Sequence, residues 1–564
     1  MFRLFDFKIV TTTVLVVAAA LATPSSVAAS ARIVVINGDG VGEGFNDPTP
    51  AAPVGRNTGA TKGQQRLIAF QHAATLWGIT LDSNVEIRVL AQFSPLGPNV
   101  LGSAGTTAVF SDFPGVVPGF PGAAFGGTWY HSALADKRAG VDLLPLFGGS
   151  PADPDIVANF SSDFDFYLGL DNNHGARIDL IVVVLHELGH GLGFANFVNE
   201  TNGANFAGQT DIYSQFTLDT TTNVVWAALT LDADRAASAR RVDKIAWNGS
   251  HVTAAVPFVL EFGRPEINVT APAPIAGAFR VGTASFGQPL SSPGITRNVV
   301  LGLDPAVAGS PTSTDACSPL TNAAAVFGRI ALVDRGTCGF VVKVKNAQNA
   351  GAIAVLVADN VAGDPPAGLG GVDPTITIPS VRITLALGNT IKARLAVPEL
   401  VTVNVGVDVT QRAGAEPSGL AQVFATNPVQ PGSSISHFDS IAFRNQLMEP
   451  AINGDLTHEL IPPADMTLPQ MRDIGWFIDG NLDGTEDHTL IVGRCTTNEP
   501  NVMLSNGATL VDQARTWYRD CAIGAKNHGQ FVSCVAHTAN EAKKGGLITG
   551  AQHGAVQQCA AQAR

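Results

Sequence analysis

His186-Glu187-Leu188-Gly189-His190-Gly191-Leu192-Gly193-Phe194 reads HExxHxxGF. On a helix, residues four apart share a face, so the two imidazoles point the same way. Glu187 sits about 100° further round the axis, placed to reach a water beside a metal rather than the metal itself. A zinc ion held by two imidazoles and a third protein ligand keeps one position open, and it lowers the pKa of water there. The pattern therefore predicts metal-assisted hydrolysis of a peptide bond, with His186 and His190 as ligands and Glu187 as general base.

The flanking residues support a helix. Asp179 is a good N-cap for a run starting at Leu180. Ile181, Val182, Val183, Val184 and Leu185 are apolar all round, which predicts a buried helix. Buried His and Glu side chains need a partner, which a metal supplies. Gly193 is placed to end the helix with positive φ.

A third ligand is required. Three residues past Gly193 stands Asn196, a neutral amide and a poor zinc ligand. Glu200 and Asp211 are near in sequence. His437, in Ser434-Ile435-Ser436-His437-Phe438-Asp439, is distant and is followed by Gln446-Leu447-Met448-Glu449-Pro450. A second His-Glu pair, His458-Glu459, has Pro462 where another His would be needed and does not compete.

These two blocks together resemble the leishmanolysin-type metzincins. In that family an HExxHxxGF helix is separated by an insertion from a third His and a methionine turn of the form LMxP. The resemblance is carried by His186, Glu187, His190, Gly193, Phe194, His437, Met448 and Pro450. It implies that His186, His190 and His437 bind Zn2+. It implies that Glu187 acts as base and then as proton donor, and that Met448 forms a hydrophobic floor without being a ligand. On the residues alone, Glu200 and Asp211 remain alternatives to His437.

The chain has 564 residues, enough for several domains, and 45% of them are hydrophobic. Its net charge of −13, with no basic stripe, argues against a nucleic-acid partner. Residues 1–29 read as an export signal: Arg3 and Lys8, then the apolar stretch Ile9 to Ala22, then Val27-Ala28-Ala29 before a cut at Ser30. No later stretch is long enough to span a bilayer. The expectation is a secreted protein, extracellular or periplasmic, acting on protein or peptide substrates. Six cysteines, none in a CxxC spacing, agree with an oxidising compartment.

Residues 30–265 read as the N-terminal part of a peptidase domain. A helix is predicted over Gln64 to Leu81, then a half-buried strand whose inward positions are Val85, Ile87, Val89, Ala91 and Phe93. His131 and His174 read as solvated loop residues. His190 and His437 lie 247 residues apart, a span that must hold a folded unit of its own.

Residues 270–410 resemble a protease-associated (PA) domain. The resemblance rests on Gly328-Arg329-Ile330-Ala331-Leu332-Val333-Asp334-Arg335-Gly336-Thr337-Cys338-Gly339-Phe340, then Lys343 to Ala352, then Ile378-Pro379-Ser380-Val381 and Gly388. It implies a Cys317–Cys338 disulfide and either a lid or substrate-interaction role or that of a spacer. Residues 411–478 return to the peptidase domain with the methionine turn and a helix before Trp476.

Residues 479–494 form a linker that starts like a calcium loop, with Asp479, Asn481, Asp483 and Asp487 as candidate Ca2+ ligands. The twelfth position is Leu490 instead of Glu, so the match is incomplete and a Gly/Asp-rich turn is the competing reading. Residues 495–564 hold Cys495, Cys521, Cys534 and Cys559, with three pairings open.

The fold class predicted is α+β: a metzincin-type zinc peptidase domain, with a twisted mixed sheet and an active-site helix, interrupted by an α/β PA domain and followed by a small disulfide-linked helical domain. The alternative is a non-catalytic extracellular binding or adhesion protein with a vestigial peptidase fold and a ligand-binding PA domain.

Overall fold

The computed structural model describes residues 31–306, 312–397 and 399–563. The stretch read as an export signal lies outside the described residues. The first six strands are Ile33–Asn37 (β1), Ile87–Ser94 (β2), Gly102–Thr106 (β3), Val109–Phe110 (β4), Thr128–His131 (β5) and Ile156–Ser161 (β6). Four of them form a mixed sheet in the order β1-β2-β6-β3. In it β1, β2 and β6 run parallel, and β3 runs antiparallel to β6 at one edge. Burial alternates along β2, as the sequence predicts for a strand with one face inward.

Three helices pack near this sheet: Lys62–Thr80 (α1), Ser132–Ala139 (α2) and Leu180–Leu192 (α3). The Thr61 side chain caps α1 by accepting from Gln64 N. Asp179 caps α3, its Oδ1 accepting from Ile181 N at 2.8 Å. Gly193 ends α3 at φ 136°, a conformation that side-chain-bearing residues rarely adopt. Two indoles reach α3 from neighbouring elements. Trp77 Nε1 donates to Leu185 O at 3.1 Å and Trp476 Nε1 donates to Leu192 O at 2.9 Å.

Thr210–Asp211 (β7) extends the pair β4-β5. There follow Thr217–Asp219 (β8), Val224–Val225 (β9), Asp232–Ser238 (α4), Ile245–Trp247 (β10) and Ser250–Val259 (α5). The chain then enters an eight-stranded sheet. Its strands are Phe262–Ala271 (β11), Gly277–Arg280 (β12), Gly282–Thr283 (β13), Ile295–Leu301 (β14), Ile330–Asp334 (β15), Ala354–Ala358 (β16), Ser380–Ile383 (β17) and Thr402–Arg412 (β18). Their order is β12-β11-β18-β14-β15-β16-β17-β13. Helices Ala323–Val326 (α6), Phe340–Asn349 (α7) and Leu385–Leu395 (α8) accompany it.

The strand that enters this unit pairs with the strand that leaves it, Phe262 opposite Arg412. The two ends of a long insertion therefore meet, so the host fold closes around it at small entropic cost. Along β15, Ile330 and Leu332 face one apolar cluster while Ala331 and Val333 face another. Both faces of the parallel strands are covered, which explains their continuous apolar runs.

Beyond the insertion, Ala421–Gln422 (β19) pairs with β10, and Thr467–Ile474 (α9) precedes Trp476. A single hydrophobic core draws on residues from Ala31 to Leu260, again from Ala415 to Trp476, and on Ala508. The last unit has a separate core. It contains the hairpin Thr489–Val492 (β20) and Cys495–Pro500 (β21), then Leu510–Gly524 (α10), His528–Lys544 (α11) and Gly550–Gln562 (α12). Its disulfides are Cys495–Cys559 and Cys521–Cys534, and Cys317–Cys338 closes a loop in the inserted unit. Neither the hairpin nor α12 is among the elements predicted from sequence.

Candidate metal centre

α3 presents His186 and His190 on one side, and the segment after β19 brings His437 to meet them. The three Nε2 atoms lie 3.1 Å (His186–His190), 3.2 Å (His190–His437) and 3.4 Å (His186–His437) apart. Each opposite ring nitrogen is committed. His186 Nδ1 donates to Leu447 O at 2.7 Å, His190 Nδ1 to Phe194 O at 2.7 Å and His437 Nδ1 to Ser433 O at 2.8 Å. A carbonyl oxygen can only accept, so each Nδ1 carries the hydrogen.

Burial pushes His186 down to about 4. Burial and then His186 push His437 down to about 3. Burial, then His437 and His186, hold His190 well below its ordinary value. All three rings are therefore neutral, and three bare Nε2 lone pairs converge on one point.

Three converging lone pairs repel unless a cation sits between them. A tetrahedral zinc with Zn–N near 2.05 Å needs ligand nitrogens about 3.3 Å apart, and the observed separations bracket that value. Among the described residues, His186, His190 and His437 are the group of His, Cys, Asp or Glu side chains that could hold a metal ion. The residues fit the group.

Glu187 is 6% exposed. Burial pushes its carboxyl up to about 8, and the Ala104 amide on β3 draws it partly back. The edge strand β3 thus runs beside Glu187, and this neighbour was not read from the sequence. Gly102-Ser103-Ala104-Gly105-Thr106 is a run of small residues with no apolar alternation to mark it as a strand. Met448 is fully buried beneath α3. A Cβ at Gly189 would stand 2.7 Å from Met448 Sδ, so glycine permits the close approach. Phe438 N donates to Met448 O at 2.8 Å, which ties the methionine turn to the His437 segment, and the Phe438 ring packs on that of Phe194.

The sequence alternatives to His437 do other work. Asp211 accepts from Phe197 N and Ser214 N at 2.9 and 2.7 Å. Glu200 accepts from Asn196 Nδ2 at 3.1 Å. Asn196 itself holds the His437 segment, its Nδ2 donating to Ser436 Oγ at 2.9 Å and its backbone N at 3.1 Å.

Two expectations need correction. His131 is not solvated: it is 1% exposed, at the junction of β5 and α2, with its ring 4.5 Å from that of Phe197. (His174 is half-buried, its Nδ1 bonded to Arg177 O at 2.7 Å.) The calcium reading of Asp479, Asn481, Asp483 and Asp487 also fails. Lys137 Nζ donates to Asp479 Oδ2 at 2.9 Å, with both side chains fully buried. Backbone amides of Asp483 and Gly484 take the rest of that carboxylate, and Gly480 N donates to Asp487 Oδ2 at 2.6 Å. Asn481 pairs with Asp483. The positive charge in this loop comes from an ammonium, so a cation is not called for.

Comparison with known proteins identifies the inserted unit. The family model described as PA domain matches residues 298–391. The chain contains a PA domain. It is 44% identical over 79 residues to ER degradation-enhancing alpha-mannosidase-like protein 3 of Homo sapiens, covering 14% of this chain and 8% of that protein. It is 33% identical over 156 residues to Vacuolar-sorting receptor 1 of Pisum sativum, covering 26% of this chain and 24% of that protein. The chain thus spans a quarter or less of the length of these relatives. Among solved structures, an aminopeptidase from Aneurinibacillus sp. strain AM-1 matches at 25% identity over 26% of this chain and 31% of that one, with a TM-score of 0.20. A TM-score of that size does not describe the architecture of the whole chain. No helix among the described residues is long and apolar enough to cross a membrane.

Proposed function

We propose that this chain is an exported zinc endopeptidase of the metzincin kind. The observation that carries the reading is the convergence of three bare imidazole nitrogens, each with its other nitrogen committed to a backbone carbonyl. His186, His190 and His437 would hold the ion. Bound there, zinc polarises a scissile carbonyl and makes water a stronger nucleophile at neutral pH.

The chain's own residues do the rest. A cation held by the three imidazoles would draw the Glu187 carboxyl back down, and the carboxylate then takes a proton from the attacking water and delivers it to the nitrogen of the leaving amine. Its burial keeps bulk water from competing for that proton. The open edge of β3 offers unpaired backbone groups beside Glu187, where an extended peptide can add as a further strand. Carbonyl bonds to all three Nδ1 atoms fix ring orientation and tautomer before a metal arrives.

The test is Glu187→Gln in the full chain. One zinc per chain is expected in both wild type and variant, with casein cleavage lost only in the variant. A variant that cleaves casein at the wild-type rate rejects Glu187 as the base. A zinc-free wild type rejects the peptidase reading and favours the binding-protein alternative.

A further inference from the structure

The segment bearing His437 is held from outside the peptidase fold. Arg280, the last residue of β12 in the inserted unit, reaches Asp439, two residues past His437. Its Nη1 donates to Asp439 Oδ2 at 2.8 Å, and its Nη2 donates to Asp439 Oδ1 and to Ser440 Oγ. The same Nη1 donates to Asp243 Oδ1 at 2.7 Å, in the loop before β10. The Arg280 side chain is 7% exposed and that of Asp439 is fully buried.

A second clasp lies at the other end of the segment. Asp364 of the inserted unit and Asn427 exchange backbone hydrogen bonds of 2.9 and 2.7 Å. His437 therefore sits on a stretch pinned by the inserted unit at Asn427 and again at Asp439. Within that stretch, Ser433 O fixes the His437 ring.

We propose that the inserted PA domain assembles the metal centre, with Arg280 a positioning residue that sets His437 against His186 and His190. This rests on the zinc reading above and extends it. His186 and His190 are fixed by one helix, so the third imidazole is the variable member of the triad. Its placement depends on a fork between a guanidinium and a carboxylate that share little solvent. A planar fork fixes direction as well as distance, which a lysine ammonium does not. The insertion is then part of the site, and its docking and metal binding are coupled.

The test compares Arg280→Met, Arg280→Lys and Arg515→Met with wild type, all as full-length protein. Arg515 forms an equally buried pair with Asp82, away from the triad. It reports what losing a buried ion pair does in general. Zinc affinity is measured by chelator competition, ligand geometry by the visible spectrum of the cobalt-substituted protein, and folding by thermal melting. Arg280→Met is expected to weaken zinc binding by roughly 10- to 100-fold, as loss of outer support does in metal sites. Its cobalt spectrum should change. Arg280→Lys should lose less affinity, and Arg515→Met should melt earlier with unchanged affinity and spectrum.

A folded Arg280→Met with wild-type affinity and spectrum overturns the inference while leaving the zinc reading intact. A wild type that binds no zinc rejects both. If Arg280→Met does not fold, hydrogen exchange on wild type decides. Coupling is reciprocal, so zinc should slow exchange of the β12 amides that pair with β11. Exchange there that ignores zinc overturns the inference.

Discussion

Gly102 is the position where a single methyl group should stop the chemistry without touching a ligand. A Cβ there would stand 2.8 Å from both Cγ and Oε1 of Glu187 and 3.0 Å from Cδ. Relaxed carbon contacts are about 3.5–4.0 Å, so Gly102→Ala must displace the carboxylate arm by about 1 Å. The clash reaches Cγ, so rotating the carboxylate alone does not relieve it, and Glu187 at 6% exposure has little room to retreat. A misplacement of about 1 Å costs on the order of 100-fold in rate, or about 2.7 kcal/mol of barrier. The expected result is kcat/KM for a fluorogenic peptide down about 100-fold, with zinc content and melting temperature near wild type. Gly105 on the same strand is the control, since a Cβ there meets nothing within 4 Å. Gly105→Ala should keep its activity. A Gly102→Ala enzyme at half the wild-type rate or better would refute the placement of Glu187 as base, and loss of zinc together with activity would mean collapse of the centre instead of displacement of one side chain.

Two further predictions concern stability. Cys495–Cys559 and Cys521–Cys534 close loops with sequence separations of 64 and 13. By loop entropy they stabilise the last unit by about 4 and about 3 kcal/mol. Replacing Cys495 and Cys559 by Ala should therefore lower the urea midpoint more than replacing Cys521 and Cys534, and the reverse order would contradict the loop argument. Asp136 and Asp155 form a buried carboxyl pair: burial raises both above the ordinary value of 3.8, and Asp155 raises Asp136 further while the Asp136 carboxyl draws Asp155 partly back. The folded protein thus keeps a proton that the unfolded chain has lost. That contribution is complete below about pH 4 and declines as pH rises through neutrality. Asp136→Asn should shrink the fall in melting temperature between pH 5 and pH 8, whereas a variant that loses as much as wild type would place the titration elsewhere.

The sequence shows most where one residue must do one thing. The α3 boundaries follow from Asp179 and Gly193, and the helix is buried because six apolar residues precede its first histidine. The apolar spacing over Ala508 to Ala525 and Phe531 to Lys544 reads as helical, and α10 and α11 fall there. By contrast α12 buries Gln552, Ala555, Val556, Cys559 and Ala560, and a face that mixes small and polar residues gives little contrast against its neighbours. The edge strand β3 is hidden for a similar reason, since its small residues serve close approach to Glu187 and have no apolar face to display. His131 read as a loop residue because no local pattern records that Phe197 covers it. The calcium motif misled because its first carboxylate is neutralised by Lys137, a residue 342 positions away.

Asn196 shows how a departure from a local pattern can be informative in itself. At its position a third imidazole would have closed the metal site within one loop. An amide cannot, but it can donate and accept at once, and here it does both. Its Nδ2 donates to Ser436 Oγ and its Oδ1 accepts from Val198 N at 2.8 Å. Ser436 is the residue before His437. The side chain that stands where a nearby ligand would be thus grips the hydroxyl of the residue next to the distant one. With Asn196 on one side and Arg280 on the other, the His437 segment is held by the loop that follows the helix of the first two imidazoles and by the inserted unit. A local ligand would make the metal site independent of the insertion. With asparagine there, the proposed site depends on the segment that the insertion clasps, and zinc affinity in the Arg280 variants measures that proposed dependence.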